Sequence, residues 1–164
     1  MNDFWHPPPK GYLKYNIDGA SKGNLGTAGY GGVLRDGNGS VPFFFHYHLG
    51  QATNNVVELM TMEQFLDFPN QENRQNVIVE ADSELIINSV KKISAGSKPE
   101  KVSKKLRLIQ GFQWIQHHLQ RLRTVGFKHV CRLVNKCLIF LPTKVLSAQR
   151  LEWHQIGMSC RRAG

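Results

Sequence analysis

Cysteine is scarce in this sequence, and its spacing argues against two common structural devices. The three cysteines, Cys131, Cys137 and Cys160, are odd in number and form no CxxC pair. A disulfide framework and a zinc site are therefore not expected, and a reducing compartment is favoured.

Long apolar runs are also missing. No stretch approaches the roughly 18 apolar residues that a membrane span needs. The N-terminus, MNDFWHPPPKGY, lacks a charged stretch followed by an apolar run, so no signal peptide is expected. We expect an intracellular protein that does not enter a membrane; the sequence does not distinguish nucleus from cytoplasm.

The length and composition predict a single globular domain. The chain has 164 residues, of which 41% are hydrophobic, an ordinary size and composition for one folded unit. Residues 1–11 contain Pro7 to Pro9 and are predicted to form a proline-rich arm or linker. Residues 12–136 are the predicted domain, residues 137–164 a divergent C-terminal segment, and the expected assembly is a monomer.

Acidic residues are almost absent from one half of the chain. Residues 1–90 carry ten Asp/Glu and five Lys/Arg, whereas residues 91–136 carry twelve Lys/Arg and one acid, Glu100. The net charge of +9 fits a nucleic-acid partner, an anionic membrane surface or a need for solubility. The stretch KKISAGSKPEKVSKKLR (91–107) suits a loop and helix start along a phosphate backbone, and a solvated helix face is the alternative. Its candidate phosphate contacts are Lys98, Lys101, Lys104 and Lys105.

The apolar periodicity predicts the element order βββαβαβ. We expect an α/β fold with a mixed five-stranded sheet, three antiparallel strands followed by parallel ones, and helices on both faces. The predicted elements are a strand Leu13–Ile17, two strands joined by a tight turn at Asp36–Gly39, a helix Asn54–Phe68, a strand Val77–Val79, a helix from Ser83, a loop 94–100, a helix Lys101–Leu122 and a strand Gly126–Cys131.

Three acids fall where predicted strands end or on the inner face of a helix: Asp18, Glu58 and Asp82. Bringing such carboxylates together is unfavourable unless cations neutralise them. Oxygen ligands with open positions suit Mg²⁺, and two ions about 4 Å apart can support phosphodiester hydrolysis. Capping or surface acids are the alternative interpretation.

Several segments together resemble a known family. In order they are KYNIDGAS (14–21), GTAGYGGVLRDGNG (26–39), TNNVVELMTMEQFL (53–66), VIVEADSELII (77–87) and FKHVCRLVN (127–135). They resemble the ribonuclease H domains of plant reverse-transcriptase-like proteins, which occur alone or at the end of non-LTR retroelement polyproteins. The resemblance runs from about Trp5 to Asn135. It implies a ribonuclease H-like fold, and endonucleolytic hydrolysis of the RNA strand of RNA/DNA hybrids with two Mg²⁺ or Mn²⁺ ions.

The resemblance also implies roles for individual residues. Asp18 matches the acid of the first strand that touches both metals, Glu58 the helix acid and Asp82 the acid that closes the fourth strand. Ser83 is expected to cap a helix. Contact with RNA 2′-hydroxyls is how such a domain would distinguish RNA from DNA. The matching nucleic-acid contacts are Gly19, Ala20, Ser21, Gly29, Gly31, Asn54 and Asn55.

The sequence departs from the family pattern after Asn135. Family members usually have a fourth acid four positions later, where this chain has Ile139. Loss of that carboxylate is expected to weaken one metal position. The segment CLIFLPTKV (137–145) can be encoded so that a shifted frame gives LDFLANKG, the family ending, which leads to the hypothesis of a one-base frameshift. His129 resembles a histidine that helps product leave in bacterial relatives, although packing in the last strand is the expected role.

Three functions stay open at this point. The first is a Mg²⁺-dependent nuclease for RNA/DNA hybrids. The second is a catalytically impaired, retroelement-derived domain that still binds nucleic acid, which Ile139 favours. The third is a structural relic without a nucleic-acid role, against which the three intact acids and the basic stretch count.

Overall fold

The structure, a computed structural model, describes residues 5–23, 25–71, 76–133, 135 and 154–155. It contains helices and strands in the predicted order, except that two helices replace one predicted helix and one short strand is added. The elements are β1 (Leu13–Ser21), β2 (Gly26–Arg35), β3 (Phe43–Ala52), α1 (Asn54–Gln71), β4 (Asn76–Ala81), α2 (Glu84–Ser94), α3 (Pro99–Val102), α4 (Leu106–Leu119), β5 (Thr124–His129) and β6 (His154–Gln155).

The strands form one mixed sheet in the order β5-β4-β1-β2-β3-β6. β1, β2 and β3 are antiparallel neighbours, while β4 pairs parallel with β1 and β5 pairs parallel with β4. The predicted five-stranded mixed sheet is confirmed. The two-residue strand β6 pairs antiparallel with β3 and extends the sheet to six strands.

The core lies between the sheet and the helices. Tyr15 and Ile17 alternate with polar residues along β1 and are fully buried, as expected for one face of a strand. Phe65 of α1 packs edge-on against the Tyr15 ring at 5.0 Å and against Phe45 at 4.3 Å between ring centroids. α1, α2 and α4 contact one another. The placement of helices on both faces of the sheet stays a prediction, because almost all residues after Asn135 lie outside the described part of the chain.

The turn between β2 and β3 forms where the sequence predicted it. The Gly39 N–H donates to the Asp36 carbonyl at 3.0 Å. Asp36 Oδ1 accepts from the backbone N–H groups of Asn38 and Ser40 at 2.9 and 3.0 Å. Gly39 has φ of +77°, a conformation that glycine adopts without steric cost.

The prediction of one continuous helix over Lys101–Leu122 is wrong. The chain instead forms the short helix α3, an extended residue Ser103 (φ −140°, ψ 155°) and then α4, which ends at Leu119. Ser103 Oγ accepts a hydrogen bond from the Lys105 backbone N–H at 3.2 Å. Such local side-chain bonds compete with helical hydrogen bonding and favour a break.

The described part of the proline-rich segment lies against the sheet. Lys14 Nζ donates to the His6 carbonyl at 2.7 Å. The Trp5 ring lies 5.3 Å from Lys14 Nζ and 5.1 Å from the Arg35 guanidinium carbon. The boundary of the arm at residue 11 stays a prediction. Among the described helices, none is both long and apolar enough to cross a membrane.

Candidate active site

The pairing of β1 with β4 brings two of the predicted acids together. The two strands are parallel, with Asn16 opposite Glu80 and Ile17 opposite Ala81. Asp18 follows Ile17 inside β1, which continues to Ser21 and does not end at Asp18 as predicted, whereas Asp82 directly follows the end of β4. The two acids therefore lie beside each other on neighbouring strands. Glu58 joins them from α1, and ligand oxygens of the three carboxylates lie within 4.8 Å of one another.

Gly19 explains how closely α1 approaches β1 beside Asp18. A Cβ atom at Gly19 would lie 2.8 Å from Thr61 Oγ1 and 2.9 Å from Val57 Cγ1, closer than real contacts allow. The absence of a side chain lets the first turns of α1 rest directly on β1. Glu58, which follows Val57, is thereby carried to Asp18.

The electrostatics of the cluster fit a cation site. Burial, followed by the charges of Asp82 and Asp18, raises the pKa of Glu58 to about 9, while Arg132 acts in the opposite direction. Asp82 Oδ1 is buried and has no hydrogen-bond donor among the described residues. A carboxylate oxygen without a donor and three mutually repelling acids are relieved together by a bound divalent cation.

Two residues beside Asp82 were not given site roles by the sequence. Arg132 Nε lies 3.7 Å from Asp82 Oδ2, so the cluster already has one cation next to it. His129 Nε2 lies 3.3 Å from the Asp82 carbonyl oxygen. His129 ends β5 with an exposed side chain, which differs from the packing role that the sequence favoured. For His129 the sequence offered its resemblance to a product-release histidine, and for Arg132 only its place three positions before the matched Asn135.

The segment after β5 forms hydrogen bonds to both acid-bearing strands, at the residue directly before each acid. Asn135 is completely buried, and its Nδ2 donates to the Ile17 carbonyl at 2.8 Å. The Val130 N–H donates to the Ala81 carbonyl at 2.9 Å. These bonds hold the backbone directly before Asp18 and Asp82, so Asn135 has a structural role that its family match alone did not specify.

The predicted RNA contacts at the start of α1 meet the end of β1. The Ser21 N–H donates to Asn54 Oδ1 at 2.8 Å, and Ser21 Oγ donates to the Ala52 carbonyl. Asn55 follows Asn54 and is partly exposed. Ser83 occupies the N-cap position of α2, as predicted, but its side chain makes no capping hydrogen bond.

The small residues of β1 and β2 lie side by side. Gly31 pairs with Asp18, and Gly29 pairs with Ala20. Ala20 is exposed and Gly29 is partly exposed, whereas Gly31 and Gly19 are buried. Ala20 and Gly29 are therefore accessible to a ligand, and a nucleic-acid contact for all four stays a prediction.

The basic stretch divides into two parts. Lys104, Lys105 and Asn55 line a surface pocket of about 310 Å³ with an apolar wall that includes Leu108 and Phe112. Lys98 and Lys101 are exposed around α3 and do not line this pocket. The structure thus brings two of the four predicted lysines next to a predicted RNA contact.

A comparison with known families assigns most of the chain to one of them. A family profile described as reverse transcriptase-like matches residues 16–142, which include all three acids. The chain therefore belongs to the reverse transcriptase-like family, whose fold is that of ribonuclease H.

Individual relatives agree with this assignment. A protein of Arabidopsis thaliana that carries a ribonuclease H name is 36% identical over 132 residues, which are 80% of this chain and 20% of the relative. The chain thus spans about a fifth of that relative's length.

Solved structures give the fold. The N-terminal RNase H domain of a Mycobacterium tuberculosis protein has a TM-score of 0.68 and 27% identity, covering 82% of this chain and 93% of that one. LC11-RNase H1, a protein isolated from compost by a metagenomic approach, was solved in complex with an RNA/DNA hybrid. That complex has a TM-score of 0.62 and 28% identity, covering 77% of this chain and 90% of that one.

Proposed function

We propose that the chain binds RNA/DNA hybrids and hydrolyses their RNA strand endonucleolytically with bound Mg²⁺ or Mn²⁺. The observation that carries this proposal is the convergence of Asp18, Glu58 and Asp82, with ligand oxygens within 4.8 Å of one another. They converge where β4 ends beside β1, in a member of this family. The hybrid-bound relative LC11-RNase H1 supports the choice of substrate.

The three carboxylates would hold the metal ions. When bound, two such ions supply an activated water and neutralise charge on the leaving oxygen. Glu58 must give up its proton to act as a ligand, because its pKa is raised to about 9. The family match implies that Asp18 would be a ligand of both ions.

The surface around the acids supplies the substrate contacts. The exposed residue Ala20 and the partly exposed Asn55 would contact the sugar edge of an RNA strand, where the 2′-hydroxyl identifies RNA. Lys104 and Lys105 lie on the same side as Asn55 and provide sequence-independent attraction to phosphates.

Binding without turnover is the second candidate. The position expected to hold a fourth acid is Ile139, which lies within the family match but outside the described residues. With one carboxylate fewer, one metal position loses charge and ligand density. A retroelement-derived, catalytically impaired binding domain would then result.

The origin and setting of the protein form part of the same proposal. We propose that the chain derives from a plant retroelement and works inside the cell as a monomer. The Arabidopsis relative, of which this chain covers 20%, supports the plant origin.

The test is cleavage of an end-labelled RNA/DNA hybrid in Mg²⁺ or Mn²⁺. Three chains are compared: the natural one, Asp18→Asn, and one with residues 138–145 replaced by Leu-Asp-Phe-Leu-Ala-Asn-Lys-Gly. Cleavage by the natural chain that Asp18→Asn abolishes supports the nuclease. Cleavage by the replaced chain alone supports the impaired domain. If Asp18→Asn cleaves as well as the natural chain, the proposed site is wrong.

A further inference from the structure

A second polar cluster lies beneath the acids, on the strands that carry them. Asn16 Nδ2 donates to Glu80 Oε2 at 2.8 Å, and Lys14 Nζ lies 2.8 Å from Glu80 Oε1. Arg35 Nη1 donates to Asn16 Oδ1 at 3.0 Å. Asn16 and Glu80 are buried, with 0% and 2% of their surface exposed. Buried polar groups destabilise a core unless they are paired, and here both are paired.

The position of this cluster relates it to the acids. Asn16 and Glu80 are directly opposite each other in the parallel pair β1 and β4. Each stands two residues before a site acid, Asp18 or Asp82, and residues two apart project from the same face of a strand. The Asn16–Glu80 hydrogen bond therefore spans the two strands one pleat before the pair of carboxylates.

The hydrogen bonds of the cluster have one allowed direction. Arg35 and Lys14 only donate, so Asn16 must turn its oxygen to Arg35 and its amide N–H to Glu80. Glu80 then accepts from both Asn16 and Lys14. Such a chain of bonds fixes the orientation of each side chain, which an apolar pair of similar volume would not do.

The N-terminal segment closes this cluster from outside. The Trp5 ring lies 5.3 Å from Lys14 Nζ and 5.1 Å from Arg35 Cζ, within reach of a cation–π interaction with each. Lys14 thus contacts Trp5 as well as Glu80, and Arg35 contacts Trp5 as well as Asn16. Trp5 therefore covers the two cations, and the hydrogen bond between Asn16 and Glu80 links their partners.

We propose that Asn16 and Glu80 are positioning residues that set the lateral spacing of Asp18 and Asp82 for metal binding. This inference rests on the metal site of the proposed function. Outer groups that orient ligands typically change metal affinity by about 10–100-fold when they are removed. The same range is expected here, because a shift between β1 and β4 moves both carboxylates.

The experiment measures Mn²⁺ binding by titration calorimetry, with the melting temperature of each chain recorded separately. In Glu80→Gln, the amide oxygen can accept from Asn16 or from Lys14 but not from both, so the amide N–H group faces a donor in either orientation. Mn²⁺ affinity is expected to fall about 10–100-fold while the protein stays folded. Val77→Ala is the control, because it removes buried volume from the same strand outside the polar cluster. It should lower the melting temperature and leave Mn²⁺ affinity unchanged.

A double variant, Asn16→Asp with Glu80→Gln, provides the rescue. The new carboxylate accepts from Arg35 and from the new amide N–H, and the new amide oxygen accepts from Lys14. Every hydrogen bond and the total charge are kept, so most of the lost Mn²⁺ affinity should return. Loss in the single variant with return in the double variant supports the proposal, because the double variant restores the hydrogen bonds and the charge of the Asn16–Glu80 pair together.

The outcomes separate this inference from the proposed function. If Asp18→Asn abolishes Mn²⁺ binding but Glu80→Gln binds as the natural chain does, the positioning role is wrong and the metal site stands. If Val77→Ala weakens binding as much as Glu80→Gln, the effect is one of stability and the inference is overturned. If the natural chain binds no Mn²⁺, both fail. If metal binding depends on Glu80 but no chain cleaves the hybrid, the positioning role is supported and the proposed nuclease activity is rejected.

Discussion

Arg132 Nε lies 3.7 Å from Oδ2 of Asp82, so an arginine of this chain occupies part of the space around the acids. Its side chain is largely exposed, at 69%, which limits the strength of the ion pair. A cation at this distance nonetheless offsets repulsion among the carboxylates and competes with a metal ion for the same charge.

Replacing this arginine is expected to strengthen metal binding. In Arg132→Gln the cluster loses a competing positive charge, and at about 4 Å in a well-solvated site that charge is worth roughly 1 kcal/mol, or about fivefold in affinity. Calorimetric titration with Mn²⁺ at low and high salt measures the change. Arg121→Gln, an exposed arginine beyond α4, is the control. Weaker binding in Arg132→Gln would mean that the arginine orients Asp82 instead of opposing the metal.

Glu58 should make the metal-free protein less stable as pH rises. Its pKa is raised from an ordinary 4.5 to about 9 in the folded chain. Between these values the unfolded chain loses the proton and the folded chain keeps it, so the free energy of unfolding falls with increasing pH. Melting temperatures in EDTA from pH 5 to 9 test this.

The matched variant is Glu58→Gln, which removes the titrating group and keeps its shape. It should melt at a higher temperature than the natural chain near pH 9 and show a flatter pH dependence. Added Mg²⁺ should raise the melting temperature of the natural chain more at pH 8 than at pH 6. At pH 8 a larger fraction of Glu58 has already lost the proton that metal binding must displace. Identical pH profiles for the two chains in EDTA would contradict the raised pKa.

Gly111 is expected to be required for the packing of α4 on α1. A Cβ there would lie 2.3 Å from Leu59 Cδ2 and 2.3 Å from Glu63 Oε1. Gly111→Ala should cost about 1–3 kcal/mol of stability through overpacking, measured by urea denaturation. Gly126→Ala in β5 is the control, because its nearest neighbour would be Ile78 Cγ1 at 3.8 Å. Equal stability of the two variants would show that the helices adjust freely.

Lys104 and Lys105 should account for part of the salt dependence of hybrid binding. Each phosphate contact contributes about 0.9 to the slope of log affinity against log salt concentration. Lys104→Gln with Lys105→Gln should therefore lower that slope by about two, as measured by fluorescence anisotropy with a labelled hybrid in Ca²⁺ to prevent cleavage. Lys10→Gln, in the N-terminal segment, should leave it unchanged. An unchanged slope in the double variant would place the duplex elsewhere.

The sequence by itself determined the order of the elements and the identity of the three acids. Apolar alternation marks β1 because a strand exposes its two faces in turn, and the continuous apolar run Val77–Val79 marks the buried strand β4. The turn at Asp36–Gly39 follows from local side-chain chemistry. The family pattern then identified Asp18, Glu58 and Asp82 without any knowledge of distances. The break at Ser103 was missed because a helical apolar pattern continued across it.

Only the tertiary structure decided which polar residues act together. Asn16 and Glu80 meet through the register of β1 with β4, and Asn135 bonds to Ile17, 118 positions away. Close approach at Gly19 carries Glu58 to Asp18, and the pKa of Glu58 is raised first by its burial and then by the neighbouring Asp82 and Asp18. Periodicity and composition describe each segment alone, whereas strand register, helix approach and burial belong to pairs of segments and arise when the chain folds.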